Sequence, residues 1–370
     1  MSKPRIGIAH QTVWIGDAIG NDIAGAYRLL EQCGYEVAIL CEFSHPELSK
    51  RFRVHHPEQA PPLDLLLYHH SNAWQGGERL IDAFQGGVVV KYHNITPPEH
   101  FATYTQRYRE SCAEGREQTR SIASKPNIVH WQADSQYNAD DLVQAGVASD
   151  MCSVVPPFNR IDSDLHLVHD AEYPLSGPFD ALFVGRRVPN KGHRHILKIL
   201  GAWRELYPEC SLRCRIVGAP DPELNPYYEE LSALEEALGL EGEAQWMGHL
   251  SDQELADLFS SSHVYLNMSE HEGFCVPVIE AQAAGLPVVS TDTTALGNTL
   301  GPGQLAVPVP TEGRDYDFIA GLVHAVCTNR ELRHGLVRTG FANVYHRFSN
   351  QILEARFLED MESVLREVAA

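Results

Sequence analysis

No apolar run in the 370 residues approaches the roughly 18 consecutive residues that a membrane-spanning helix needs, so a helical membrane protein is excluded. Met1-Ser2-Lys3-Pro4-Arg5-Ile6 leads into a strand pattern rather than the apolar core of a signal peptide, and a cytoplasmic location is expected. The 8 cysteines include no CxxC pair and no metal-finger spacing, and Cys210 and Cys214 stand at a strand entrance. Buried or inert thiols fit them better than disulfides or zinc ligands. No GxGxxG follows the first strand, which removes the main signature of a dinucleotide-dependent dehydrogenase. Positive charge is scarce: 29 Lys and Arg stand against 49 Asp and Glu, a net charge of −20 that argues against non-specific nucleic-acid binding. Internal repeats and low-complexity tracts are also missing.

The acidity is uneven. Residues 1–160 carry 14 basic against 18 acidic side chains, and residues 161–370 carry 15 against 31. The N-terminal half is therefore less repelled by anionic lipid or by a pyrophosphate-linked acceptor. A chain of this length exceeds what one core usually supports, so two domains are expected.

Strand and helix patterns alternate throughout. Buried strands are expected near 5–10, 35–41, 64–70, 88–93 and 127–134, with helices over 21–33 and 78–85 between them. A longer polar helix is expected over 100–124, with Phe101, Tyr104 and Tyr108 on one face and Arg107, Arg109, Arg116 and Arg120 nearby. That face suits the core, an acceptor lipid or a membrane surface. The polar, proline- and glycine-containing stretch from Pro156 to Pro178 reads as a linker. Beyond it, strands near 179–185, 212–218, 243–247, 263–268 and 286–290 alternate with helices near 192–206, 224–239, 252–260 and 276–284. This is a second α/β doubly wound parallel sheet.

Chemistry concentrates in the second half. Ser269-Glu270-His271-Glu272-Gly273-Phe274-Cys275-Val276-Pro277 joins a buried strand to a helix, with Pro277 suited to the first turn. The amides of Gly273, Phe274, Cys275 and Val276 at such a helix start make an anion site fit for a diphosphate. Glu280, about one turn into the helix, can accept hydrogen bonds from ribose hydroxyls. The same residues would also serve as a capped helix in any parallel sheet. A second cluster, Gly185-Arg186-Arg187-Val188-Pro189-Asn190-Lys191-Gly192, follows a strand and puts two cations, Arg186 and Lys191, where they can neutralise a diphosphate. In the first half Gly16 to Asn21 follows the first strand, where Gly16 and Gly20 permit close phosphate approach.

Together these segments resemble the family 4 retaining glycosyltransferases of the GT-B fold, whose glycine-arginine pair, lysine-glycine pair and spaced glutamates occur in this order. The resemblance is specific over about Phe179 to Ser290 and includes Trp246 to Ser251, similar to the family's nucleotide-facing loop, with His249 and Leu250. It implies two facing Rossmann-like domains with a cleft between them: residues 1–165, acceptor-binding, and residues 175–348, donor-binding. The last helix, about 349–370, would cross back to the first domain. It also implies that Arg186 and Lys191 stabilise the leaving phosphate and that Glu272 hydrogen-bonds the donor sugar. His93, in Tyr92-His93-Asn94-Ile95-Thr96-Pro97-Pro98, would contact a sugar hydroxyl, with its carbonyl near the reacting carbon. His10 would be the base in an inverting enzyme and ranks below it.

The activity so implied is retaining transfer of a hexose from a nucleotide-diphosphate sugar to a glycan or lipid-linked oligosaccharide in polysaccharide biosynthesis. UDP-glucose is favoured as donor, with GDP-mannose the alternative. Front-side attack is preferred to a covalent intermediate on Glu272. No metal or other cofactor is expected, because Asp162-Ser163-Asp164 lies in the linker and Asp315-Tyr316-Asp317 begins a helix. Contact with the inner face of a membrane would run through the N-terminal domain. The competing readings are a nucleotide-sugar epimerase of the same fold and a non-catalytic sugar-nucleotide-binding protein.

Overall fold

The computed structural model describes residues 3–161 and 177–368. Most of the expected linker, with Asp162, Ser163 and Asp164, lies outside them. The chain divides into two compact units. The first comprises Met1–Pro98, Arg107–Asn159 and Asn350–Ala370, and the second Glu99–Gln106 and Arg160–Ser349.

The first unit is built on a seven-stranded, all-parallel sheet. Its order is Val54–His55, Glu36–Leu40, Arg5–Ala9, Leu65–His70, Gly87–Tyr92, Ile128–Ala133 and Cys152–Val154. Central strands such as Leu65–His70 are buried at every position, as strands covered by helices on both faces must be. The C-terminal helix Asn350–Val368 presents Leu353, Phe357, Met361 and Val364 along one face. These join Ile6, Ile8, Tyr27 and Leu30 in one core cluster. Burial of each such side chain contributes about 1.5–3 kcal/mol, enough to hold a helix that arrives from the far end of the chain.

The second unit has a six-stranded parallel sheet in the order Ala244–Met247, Leu212–Val217, Phe179–Val184, Val264–Asn267, Val288–Thr291, Leu305–Val307. The strand order reverses beside Phe179–Val184, where the connections switch sides, the position at whose carboxyl ends such sheets bind ligands.

Three local expectations change. The helix expected from His100 begins at Gln106 and ends at Ala123, preceded by a short 3-10 turn, Pro98–Phe101. Phe101 is buried and belongs to the second unit. Tyr104 is held there too: its hydroxyl donates to Glu230 at 2.7 Å and its ring meets Tyr227 edge-on at 5.1 Å. These two aromatics are not part of an exposed stripe with Tyr108. The first unit also stops at Asn159, and Ile161 packs with Phe274, Ile279, Val344 and Phe348 of the second. Among the described residues no helix is long and apolar enough to cross a membrane.

Candidate active site

In the second unit the strand Phe179–Val184 ends at Gly185, whose amide continues the ladder to the Val217 carbonyl at 3.0 Å. A 3-10 turn, Pro189–Lys191, follows and closes on Gly192 in the left-handed region (φ 68°). A Cβ on Gly192 would lie 1.8 Å from the Met268 carbonyl oxygen, so only glycine lets this turn rest on the end of the neighbouring strand Val264–Asn267. That packing carries Lys191 to Glu272. Its Nζ lies 2.7 Å from both carboxylate oxygens.

Glu272 is 6% exposed. Ser269 Oγ donates to its Oε1 at 2.8 Å, and its own amide donates to Thr294 Oγ1 at 2.9 Å. The helix Val276–Ala283 starts four residues beyond Glu272, with Pro277 in its first turn and Cys275 as N-cap. No side-chain hydrogen bond caps it; Pro277 has no N–H and the Val278 amide donates to the Cys275 carbonyl at 3.2 Å, so at this helix start the Val276 amide is the one left to face an anion. Phe274 turns inward against Phe348, and Cys275 is buried, its thiol pKa raised well above the ordinary value by burial and by nearby Glu272. Phe274 and Cys275 can therefore offer a ligand only their main chains. Glu280 is half-buried in the same helix. Both glutamates help raise the pKa of the Tyr265 hydroxyl, after burial and Cys275.

Arg186 is exposed, and no ion pair or hydrogen bond of its side chain occurs among the described residues. Its neighbour Arg187 is committed elsewhere, donating to the Met247 carbonyl at 3.0 Å and lying 5.0 Å over the Trp246 ring. His249 is exposed and Leu250 half-buried in the turn between Ala244–Met247 and the helix Asp252–Ser261. Asp315 caps the helix Gly313–Thr328, accepting from the amides of Thr311 and Glu312 at 2.8 and 3.0 Å.

The first unit holds the other named residues. Gly16 is exposed with φ 96°. Gly20 does not serve a phosphate: Asp17 already caps its amide at 2.5 Å, and a Cβ there would meet the Trp14 carbonyl oxygen at 1.8 Å. His10 bonds the Thr12 carbonyl at 2.7 Å and Ser71 Oγ at 2.9 Å.

His93 belongs to a buried charged cluster. Its Nδ1 lies 2.7 Å from Asp134 Oδ2, and its Nε2 lies 2.8 Å from His69 Nδ1. Nδ1–H donates to the carboxylate, and Nε2 shares a hydrogen bond with the His69 ring. Lys91 Nζ meets Asp134 Oδ1 at 3.0 Å and also donates to the Val155 carbonyl. Burial raises the Asp134 pKa, but His93 and Lys91 more than reverse this and hold it below its ordinary value. Burial wins at Asp22, whose pKa is raised. The His93 side chain is only 6% exposed although the residue as a whole is half-buried, so the part it shows to solvent is main chain. Both ring nitrogens are taken, and neither is free for a sugar hydroxyl.

Asp22, His69 and His93 are the group of possible metal ligands found among the described residues. Asp22 Oδ2 is 3.7 Å from His69 Nδ1 and 3.8 Å from His93 Nε2. The rings, tilted 22° with centroids 5.0 Å apart, are arranged for an in-line N–H···N bond, so the nitrogens face each other and not a common point. Ligation would need both rings to turn, with Lys91 adding repulsion.

Residues 169–342 match the family described as glycosyl transferases group 1. The segment that this match covers is similar to the group 1 glycosyl transferases. It is 31% identical over 232 residues to the MMP alpha-(1->4)-mannosyltransferase of Mycolicibacterium hassiacum, covering 63% of this chain and 53% of that protein. It is 26% identical over 309 residues to the phosphatidyl-myo-inositol mannosyltransferase of Mycolicibacterium smegmatis, covering 81% and 71%. The chain thus spans little more than half the length of the first of these relatives. In three dimensions it resembles Anabaena HepE in complex with UDP and glucose, with TM-score 0.77, 16% identity and coverage of 97% and 100%. It also resembles the sucrose-phosphate synthase of Thermosynechococcus elongatus, with TM-score 0.76, 15% identity and coverage of 99% and 100%. These likenesses show the fold, GT-B with two parallel-sheet α/β domains.

Several residues that shape the site carry little signal in sequence. Asn190 donates to the His271 carbonyl at 3.0 Å and accepts from the Glu270 amide at 2.8 Å, joining the lysine turn to the glutamate loop. Gly218 lets the next strand end approach Gly185: a Cβ would lie 2.0 Å from that carbonyl oxygen. Gly192→Ala is expected to destabilise the fold by more than the roughly 1–2 kcal/mol of a left-handed alanine, since the Met268 carbonyl must also move. Chemical denaturation checks this, and a wild-type midpoint would remove the close approach from the account.

Burial keeps several histidines neutral. The pKa of His10 is lowered to about 4, and those of His70 and His193 to about 3, burial being the largest cause at each. The unfolded chain takes up these protons near pH 6.5, where the folded chain does not. Stability is therefore full above about pH 6.5 and falls as pH drops toward 4, by about 1.4 kcal/mol per pH unit per histidine. Urea midpoints measured from pH 7.5 to 4.5 test the slope; a flat profile would contradict it.

Proposed function

We propose that the chain transfers a hexose from a nucleotide-diphosphate sugar to a glycan or lipid-linked acceptor, with retention at the anomeric carbon. The observation that carries this is the Lys191–Glu272 pair beside the uncapped helix start at Val276, on loops following the carboxyl ends of parallel strands. Breaking the sugar–phosphate bond builds negative charge on the departing diphosphate. Fixed cations and helix amides aimed there lower the barrier. Lys191 would leave Glu272 for the phosphate, Arg186 would add a second charge, and Glu272 would then accept from donor sugar hydroxyls, with Glu280 on the ribose.

The ring of His93 would serve to hold its own main chain, the part of this residue that reaches solvent. Retention follows if the acceptor oxygen bonds to the anomeric carbon on the face that the diphosphate leaves, the diphosphate oxygen taking the acceptor proton. Metal-free transfer is part of the proposal. The sequence favours UDP-glucose as donor. The mannosyltransferase names of two similar relatives make GDP-mannose the second to test.

The experiment is incubation of the purified chain with each donor, with and without EDTA, and with oligosaccharide or lipid-linked acceptors. Nuclear magnetic resonance reads the new linkage. An α-linked product from an α-linked donor, unchanged by EDTA, is expected. Conversion of the donor sugar without any acceptor would replace the proposal with an epimerase.

A further inference from the structure

The loop that carries Glu272 is fastened by three threonines, one at the end of the adjacent strand Val288–Thr291 and two just beyond it. Thr291 Oγ1 donates to the Ser269 carbonyl at 2.6 Å, and Thr293 Oγ1 to the Glu270 carbonyl at 3.2 Å. Thr294 Oγ1 accepts the Glu272 amide at 2.9 Å, and the Ala295 amide returns a bond to the Glu272 carbonyl at 3.3 Å. The first two bonds could belong to any well-packed loop. The third cannot be dismissed that way, because Thr294 holds φ at 51°. A left-handed, β-branched residue is an outlier that persists only where its surroundings impose it. A glycine would relieve that strain. What a glycine cannot supply is the hydroxyl that meets the Glu272 amide.

We propose that Thr294 is a positioning residue for Glu272. Its hydroxyl fixes the main chain of Glu272, so that the carboxylate points along the loop to Lys191 before donor binds and to the sugar hydroxyls afterwards. Asn190 holds the same loop from the opposite side through Glu270 and His271. Glu272 therefore has its backbone set from two directions while its carboxylate can exchange partners. The inference rests on the donor-site reading of Lys191 and Glu272.

The test compares Thr294→Ser, Thr294→Ala and Thr294→Gly in the full chain. The readouts are melting temperature, dissociation constants for UDP and GDP, and kcat for consumption of the donor that wild type uses. Serine keeps the hydroxyl; alanine keeps the strain without it; glycine loses both. Thr294→Gly is expected to melt no lower than Thr294→Ala, yet both lose about 10- to 100-fold in kcat at unchanged nucleotide affinity, and Thr294→Ser recovers most of it. Wild-type kcat in the glycine variant would overturn the inference, and so would kcat that merely follows melting temperature across the series. Wild type that binds neither nucleotide would overturn the donor-site reading, and this inference with it. Wild type that binds and turns over while all three variants match it overturns the inference alone.

Discussion

Lys191→Ala is expected to lower transfer by about 10²–10³-fold, the usual effect of removing one preorganised group that stabilises developing charge. Glu272→Ala is expected to fall at least as far, but for two reasons. It removes the partner of the sugar hydroxyls, and it also leaves Lys191 without the carboxylate that holds it at 2.7 Å before donor arrives. Because each side chain sets the position of the other, the double variant should lose less than the sum of the two single losses. Strict additivity would mean that the pair acts as two independent groups. Arg186→Ala should weaken diphosphate binding without changing stability, since this exposed side chain has no partner among the described residues to lose. Steady-state kinetics with the preferred donor and denaturation curves on the same preparations separate these effects.

Lys91→Ala is expected to produce the largest loss of stability, about 3–5 kcal/mol, by removing the ammonium from a buried ion pair. Lys91 is 2% exposed and faces Asp134 at 3.0 Å, while Asp22 acts on the same cluster. Without the lysine, two carboxyl groups stand in a low-dielectric site beside His69 and His93, with no ammonium to compensate them. Typical stabilities of 5–15 kcal/mol leave little margin for that. Lys91→Met with Asp134→Asn should regain a large part of the loss, because the uncompensated charge goes with the asparagine. Urea denaturation followed by circular dichroism reads both. A loss below about 1 kcal/mol for Lys91→Ala would show that water or a proton on Asp134 already screens the pair.

The sheets were legible because their central strands are continuous apolar runs. Leu65–His70, Gly87–Tyr92 and Phe179–Val184 fall within a residue of their expected limits. Short edge strands such as Val54–His55, Cys152–Val154 and Leu305–Val307 are two or three residues long and only partly buried, so they carry no periodic signal. The helix over 106–123 was expected too early because Phe101 and Tyr104 continue its aromatic spacing, whereas their actual partners, such as Tyr227 and Glu230, lie far away in sequence.

At the site, Lys191, Glu272 and the helix start stand out because their residue types follow strand ends. Thr294, Asn190 and Gly218 do not, since each acts on a distant main-chain atom that nothing in local sequence marks. His93 was singled out for its side chain, but the ring is spent on Asp134 and His69, a pairing that three separate strand ends create. Gly20 was read as a phosphate contact, and its missing Cβ instead makes room for Trp14.

The most direct test is titration calorimetry of UDP, GDP and their sugar conjugates into the wild-type chain and into Lys191→Ala, without added metal. Binding of one nucleotide series by wild type, lost or weakened at least tenfold in Lys191→Ala with the fold intact by circular dichroism, is the predicted result. Equal binding by both chains, or none by wild type, would contradict a diphosphate site at Lys191 and Glu272.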